Sequence, residues 1–349
     1  MGLFDIDYDN IIVKKDIVMG RVLCTIDNFY KYPKLVSAHY SALKKRIGLK
    51  LDNSNYPGKR FELDEAFDHR ILEAHLKDVK ALLKSHGYNR IMDKFTNDHQ
   101  VGQVGKISFS KFDPAVKKKL NFERLLLDKG DTRRIDPPSY HESDEGAEDD
   151  NDADPDTAVD CNYNPHTDAE PSANRDNILA CVCYLSEDIH GGTGIYYNKA
   201  LQTCSTDVNF WNELKYLLLE KIKELEGVVS IDERNKQIRE LYTSHHRKLW
   251  PRREADGPLN NSDEHFDLLH LFPMKFNRLV VYEGDLLHCL YYKDIGFYDK
   301  HERLTTNYFL PYEWTEGSNE YPMSDSDERI VVRTIYMSCL GVGQLYGNM

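Results

Sequence analysis

Apolar positions along this chain change their period several times, and each change predicts an element. Residues 20–28 (Gly-Arg-Val-Leu-Cys-Thr-Ile-Asp-Asn) read as a strand ending in a turn. Pro33 then opens a helix running to about Lys45, because proline fits a first helical turn, where its missing N–H loses no bond. Tyr56-Pro57-Gly58-Lys59 predicts a turn. Over 63–86, Phe67, Ile71, Leu72, Leu76, Val79 and Leu82 or Leu83 recur at helical spacing. Residues 104–112 alternate as a strand does, and Asn177–Leu185 is a continuous apolar strand. Gly191-Gly192-Thr193-Gly194 turns into another strand. From about Val208 to Leu249 the period is helical again, with Trp211, Leu214, Leu218, Ile222 and Leu225 on one face and Ile238, Leu241, Tyr242 and Leu249 on a second helix. Strands resume at Arg278–Tyr282, Asp285–Tyr292 and Leu304–Leu310.

The order is an N-terminal α/β region (20–112), strands (161–200), a helical insertion (205–275), strands (276–312) and a C-terminal segment (313–349). Short strands on both sides of one insertion, with no helix between neighbours, predict an antiparallel barrel or jelly roll. The expected class is therefore α+β, mainly β, built as a single domain over 1–349. Residues 136–160 are rich in Pro, Asp and Glu and predict a solvated loop.

Composition alters this picture little. Net charge is −13, but the stretch Glu142–Asp156 holds nine carboxylates and no Lys or Arg, so the rest of the chain is near −4. An acidic chain does not neutralise phosphates, which argues against a nucleic-acid partner. The seven cysteines are scattered and include no C-x-x-C pair, which excludes a structural zinc site of the usual spacing and fits a reducing compartment. No apolar run approaches the roughly 18 residues of a membrane span, and Met1–Ile6 lacks the apolar core of a signal peptide. A cytoplasmic, membrane-free protein is expected.

The candidate chemistry lies in Tyr163-Asn-Pro-His166-Thr-Asp168 and, about 120 residues later, in Glu283-Gly-Asp-Leu-Leu-His288. Residues two apart on a strand share a face, so His166 and Asp168 converge. Each motif is weak alone. Together they flank the apolar strands of one β core, and His288 follows an apolar strand closed by a Gly turn. His190, His265, His270 and His301 lack that setting. Two histidines and one carboxylate occupy one face of an octahedral ion and leave the other open, which suits non-heme Fe(II). His245-His246-Arg247-Lys248 with Arg252-Arg253 forms a basic cluster whose plain reading is a solvated helix end.

Taken with Tyr184-Leu185, Gly191-Gly-Thr-Gly-Ile-Tyr196, Gly284-Asp-Leu-Leu-His288 and Arg303-x-Thr305, the chain resembles the Fe(II)/2-oxoglutarate-dependent oxygenases, closest to their prolyl-hydroxylase-like branch and its bacterial and fungal relatives. Ile26-Asp-Asn-Phe29 and Tyr56-Pro-Gly58 fit the same relatives. The resemblance spans most of 20–312, excepting 113–160 and the helical insertion. It implies a double-stranded β-helix in which His166, Asp168 and His288 bind Fe(II). It also implies that Arg303, with Thr305, receives the distal carboxylate of the cosubstrate 2-oxoglutarate, with Tyr163 and Tyr184 as further cosubstrate contacts. The interval from His288 to Arg303 is longer than the family's commonest spacing, and an extended hairpin through Lys293–His301 accommodates it. O₂-dependent oxidation of a C–H bond, with release of succinate and CO₂, is the implied reaction. The first expectation for the substrate is a small polar molecule such as an amino acid or its derivative, recognised by the helical insertion. A protein side chain comes second. The rival readings are an inactive barrel acting as a binding module and a metal enzyme that does not use 2-oxoglutarate.

Overall fold

The computed structural model describes residues 2–47, 58–62, 68–94, 105–110, 165–168, 177–187, 190–205, 208–227, 229–249, 251, 259, 261–291 and 302–313. The acidic tract, Tyr163, the interval 292–301, Arg252-Arg253 and the C-terminal segment beyond 313 lie outside these residues. The chain divides into two compact units. One comprises 1–117, 161–213 and 248–322, the other 118–160, 214–247 and 323–349.

The first unit is a mixed α+β structure in which all strand pairs are antiparallel among the described residues. Its larger sheet contains β1 (Ile12–Val18), β2 (Arg21–Asp27), β3 (Gly58–Glu62), β4 (Gly105–Ser110), β5 (Asn177–Tyr184), β8 (Arg278–Glu283) and β10 (Arg303–Tyr312), in the order β1-β2-β8-β5-β10-β4-β3. Its smaller sheet contains β6 (Gly192–Asn198), β7 (Phe266–Pro273) and β9 (His288–Tyr291), in the order β7-β6-β9. Helices α1 (Pro33–Ile47) and α2 (His69–Ser85) complete the unit.

Strand alternation divides the larger sheet into two apolar faces. Cys24, Ile26, Leu179, Cys181, Cys183, Leu279, Val281, Leu304, Tyr308 and Leu310 share a core with Val36, Tyr40 and Leu43 of α1 and Leu72, Val79, Leu82 and Leu83 of α2. The alternate residues Leu23, Ala180, Tyr184, Val280 and Tyr282 pack with Ile195 and Phe272 of the smaller sheet. Because β5 and β8 are covered on both faces, Ile178–Tyr184 and Leu279–Tyr282 within them are continuously apolar. One buried face would have left alternation. Asp68 caps α2 by accepting the Arg70 N–H at 2.9 Å, and this satisfies a donor that the helix itself cannot.

Three elements depart from the sequence expectation. Residues 266–273, assigned to the helical insertion, form β7; the run Phe-Asp-Leu-Leu-His-Leu-Phe has no clear period, so pairing with β6 decides its state. The expected strand 285–292 begins only at His288, after a turn closed by Leu286 N–H to the Glu283 carbonyl. Ile12–Val18, read as no element, pairs with β2 through a hairpin turn in which Met19 and Gly20 both have positive φ (50° and 78°). Two positive φ values fit a two-residue turn whose twist matches its flanking strands.

The described part of the second unit is helical: most of α3 (Val208–Leu225) and α4 (Ile231–Leu249). Leu214, Leu218, Ile222 and Leu225, and then Ile238 and Tyr242, are buried, as the helical period predicts, while Leu241 is half-buried and Leu219, outside that period, is buried as well. His245 is also buried, so it does not belong to a solvated helix end. No helix among the described residues is long and apolar enough to cross a membrane.

Candidate metal centre

His166 and His288 meet across a two-bond bridge, each backbone N–H donating to the other's carbonyl at 2.8 Å. This pair of short bonds sets the two side chains abreast. Their ring centroids are 4.5 Å apart. The backbone N–H of Asp168 donates to the Gly284 carbonyl at 2.8 Å, which keeps the segment alongside the 284–288 turn. An Asp168 oxygen then lies 3.3 Å from His288 Nε2. Ligand atoms of His166, Asp168 and His288 all fall within 4.8 Å of one another, the one such group of His, Cys, Asp and Glu among the described residues. The expected alternation of His166 and Asp168 is realised, though as an isolated bridge rather than a full strand.

The turn that precedes His288 orients its ring. Its Nδ1 lies 2.9 Å from the Leu286 carbonyl. That acceptor requires a proton on Nδ1, so in the neutral ring Nε2 carries the free lone pair on the Asp168 side. Burial by itself lowers the His288 pKa. The Asp168 charge and hydrogen bond and the Leu286 carbonyl outweigh burial, so the value is raised. A bound cation would replace that proton, since the donors suit either. Two histidines and one carboxylate that converge from one side fit a metal of intermediate softness with open positions opposite.

The triad lies on the inner face of the smaller sheet. His288 pairs directly with Ile195, an inner-face core residue, while Cys289 packs outward with Tyr196 and Phe266. From the larger sheet, the Tyr282 ring meets His288 at 4.7 Å between centroids. Burial raises the Tyr282 pKa well above its ordinary value. The Asp168 charge adds to the rise and the Arg303 charge opposes it, so this hydroxyl lies within the field of both groups.

Arg303 and Thr305 share the inner face of β10, since Thr305 pairs with Tyr184 and Leu304 packs on the opposite side. The Arg303 guanidinium lies 5.0 Å from the Tyr184 ring centre, and its Nη2 approaches the Thr193 hydroxyl at 3.5 Å. Tyr184 and Thr193 hydroxyls hydrogen-bond at 2.8 Å. Thr305 Oγ1 and, opposite it on β4, Ser108 Oγ are buried with no hydrogen-bond partner among the described residues. Buried hydroxyls are normally satisfied, so two unsatisfied ones beside an arginine leave donor and acceptor capacity for a polar group.

The structure thus brings together His166, Asp168 and His288, and separately Arg303, Thr305 and Tyr184, on facing sheets of one unit. Tyr163 lies outside the described residues. His265 and His270 stand apart from the triad; His270 packs its ring on Phe272 in β7. Sequence reasoning missed the roles of Tyr282, Thr193 and Ser108. Tyr282 and Thr193 stood in quoted strands, but only sheet facing gives them neighbours.

The model of a family of unknown function, DUF6445, matches residues 225–310, a stretch that contains His288 and Arg303 but not His166 or Asp168. No curated protein and no solved structure matches the chain.

Proposed function

We propose that this protein is an Fe(II)- and 2-oxoglutarate-dependent oxygenase acting on a small polar substrate such as an amino acid or its derivative. The observation that carries the reading is the pairing of a convergent His-Asp-His set with an arginine and a threonine on the facing sheet, joined by Tyr282. Strand order supports it. From β4 onward the chain passes from one sheet to the other at every step except β6 to β7, which pair with each other, giving β4-β10-β5-β8 in one and the 166 bridge-β9-β6-β7 in the other. This order is consistent with the double-stranded β-helix that the reading requires.

His166, Asp168 and His288 would hold the ion by one face. The Leu286 carbonyl would fix the His288 ring so that Nε2 stays the ligand atom. Arg303 would bind the distal carboxylate of 2-oxoglutarate through its planar fork, with Thr305 Oγ1 as a further donor. The Tyr184 ring and Thr193 hydroxyl hold Arg303 from the side and limit its rotamers. When bound, iron, 2-oxoglutarate and O₂ supply the oxidising chemistry, releasing succinate and CO₂ as a C–H bond is oxidised.

Succinate formation by the purified protein with Fe(II), 2-oxoglutarate and O₂ tests this, with a metabolite-pool screen to raise turnover above the uncoupled background. Asp168→Ala should abolish the signal, while Arg303→Met should mainly raise the 2-oxoglutarate concentration required. A metal-binding wild type that never consumes 2-oxoglutarate would overturn the cosubstrate assignment.

A further inference from the structure

The turn from Glu283 to His288 provides one carbonyl to each of two triad members. Gly284 O receives the Asp168 N–H at 2.8 Å and Leu286 O binds His288 Nδ1 at 2.9 Å. Two acidic side chains flank Gly284, and both are almost fully buried. Their counter-charge comes from the far end of the sequence. Arg21 begins β2 directly after the Met19-Gly20 turn, and the β2–β8 register, Cys24 opposite Val281, continues to place position 21 opposite 284. Arg21 Nη1 binds the Glu283 carboxylate and Nη2 binds Asp285 Oδ2 at 2.9 Å. Arg90 binds the other Glu283 oxygen at 3.0 Å from its place over the Tyr312 ring.

We propose that Arg21 is a positioning residue for the metal centre, a guanidinium bridge that sets the 283–286 turn and through its carbonyls the placement of Asp168 and His288. The inference rests on the metal reading of the triad. Two buried carboxylates separated by one glycine repel; Arg90 offsets the charge of Glu283 alone, whereas Arg21 spans both. A planar fork does so with two N–H groups, whereas an ammonium reaches one oxygen at a time. Without the bridge, the carboxylates separate or take up a proton, and either change moves Gly284 and Leu286. Groups that orient ligands typically contribute about 10- to 100-fold to metal affinity.

The test is anaerobic Mn(II) and Fe(II) titration of the full chain by calorimetry, for wild type, Arg21→Met, Arg21→Lys and Arg278→Met. Arg278 serves as control because it binds Asp27 with two nitrogens on the same pair of strands without touching the turn. Arg21→Met should weaken metal binding about 10- to 100-fold, Arg21→Lys by a smaller factor, and Arg278→Met by less than about 2-fold. If Arg21→Met does not fold, Arg21→Lys decides: affinity weakened beyond that of Arg278→Met supports the bridge, and wild-type affinity overturns it. Equal losses in Arg21→Met and Arg278→Met also overturn it, since they would report general loosening. A wild type that binds no metal overturns the site and the bridge together, whereas a binding wild type with an unaltered Arg21→Met overturns the bridge alone.

Discussion

Two buried histidines in the same unit have opposite fates. His75 of α2 and His288 of β9 are each 5% exposed. His75 sits among the rings of Phe4, Phe29, Tyr30 and Tyr308, with its Nε2 2.9 Å from the Tyr308 hydroxyl. Burial lowers its pKa to about 4, only weakly opposed by a backbone contact with Phe4. His288 is equally enclosed, yet Asp168 reverses the sign of its shift. Enclosure among hydroxyls and rings makes a histidine a neutral part of the core. One carboxylate within reach keeps it ready for a positive partner, whether proton or metal.

The largest test of this contrast removes each ring. His288→Ala should reduce metal-dependent succinate formation by at least about 100-fold, the effect of deleting a ligand rather than one of its supports, with the circular-dichroism spectrum unchanged. His75→Gln should leave turnover within about 2-fold, since it retains a polar contact to Tyr308 and lies outside the site. A comparable loss from His75→Gln would end the distinction between the two.

Arg303→Met should raise the 2-oxoglutarate concentration for half-maximal succinate formation by about 10- to 100-fold, the usual effect of losing hydrogen bonds to a charged group. Steady-state titration measures it, and Ser108→Ala should change the same constant by less than about 5-fold, as a single neutral hydroxyl would.

The pH dependence of stability tests the core histidine by itself, and the sign follows from His75. Its folded pKa, about 4, lies below the unfolded value of about 6.5. The unfolded chain therefore binds the proton first as pH falls. Stability is complete above pH 6.5 and declines toward pH 4, by about 3 kcal/mol if the full shift is expressed. Urea unfolding of wild type and His75→Gln across this range should show a shallower decline in the variant. Parallel curves would remove His75 as the source.

Much of the candidate site was legible because its grammar is local. His166 and Asp168 converge by strand alternation alone, and Arg303 and Thr305 share a face by the same rule. The two-faced burial of β5 was readable from its unbroken apolar run. β7 was not, since its periodicity favours neither state and its hydrogen bonds to β6 settle it. The supports of the site were equally hidden. Arg21 and Glu283 are 262 positions apart, His75 and Tyr308 are 233 apart, and no local pattern joins them.

Sequence by itself determined the residue types able to hold a metal, the face each would occupy and the antiparallel β core that carries them, because side-chain period and donor chemistry are properties of short segments. Tertiary structure decided which histidine stands beside a second histidine and a carboxylate and which became core, which tyrosine meets His288, and which arginine holds the turn beneath it. Those outcomes depend on the charge and enclosure supplied by distant strands, and such neighbours exist only once the sheets have formed.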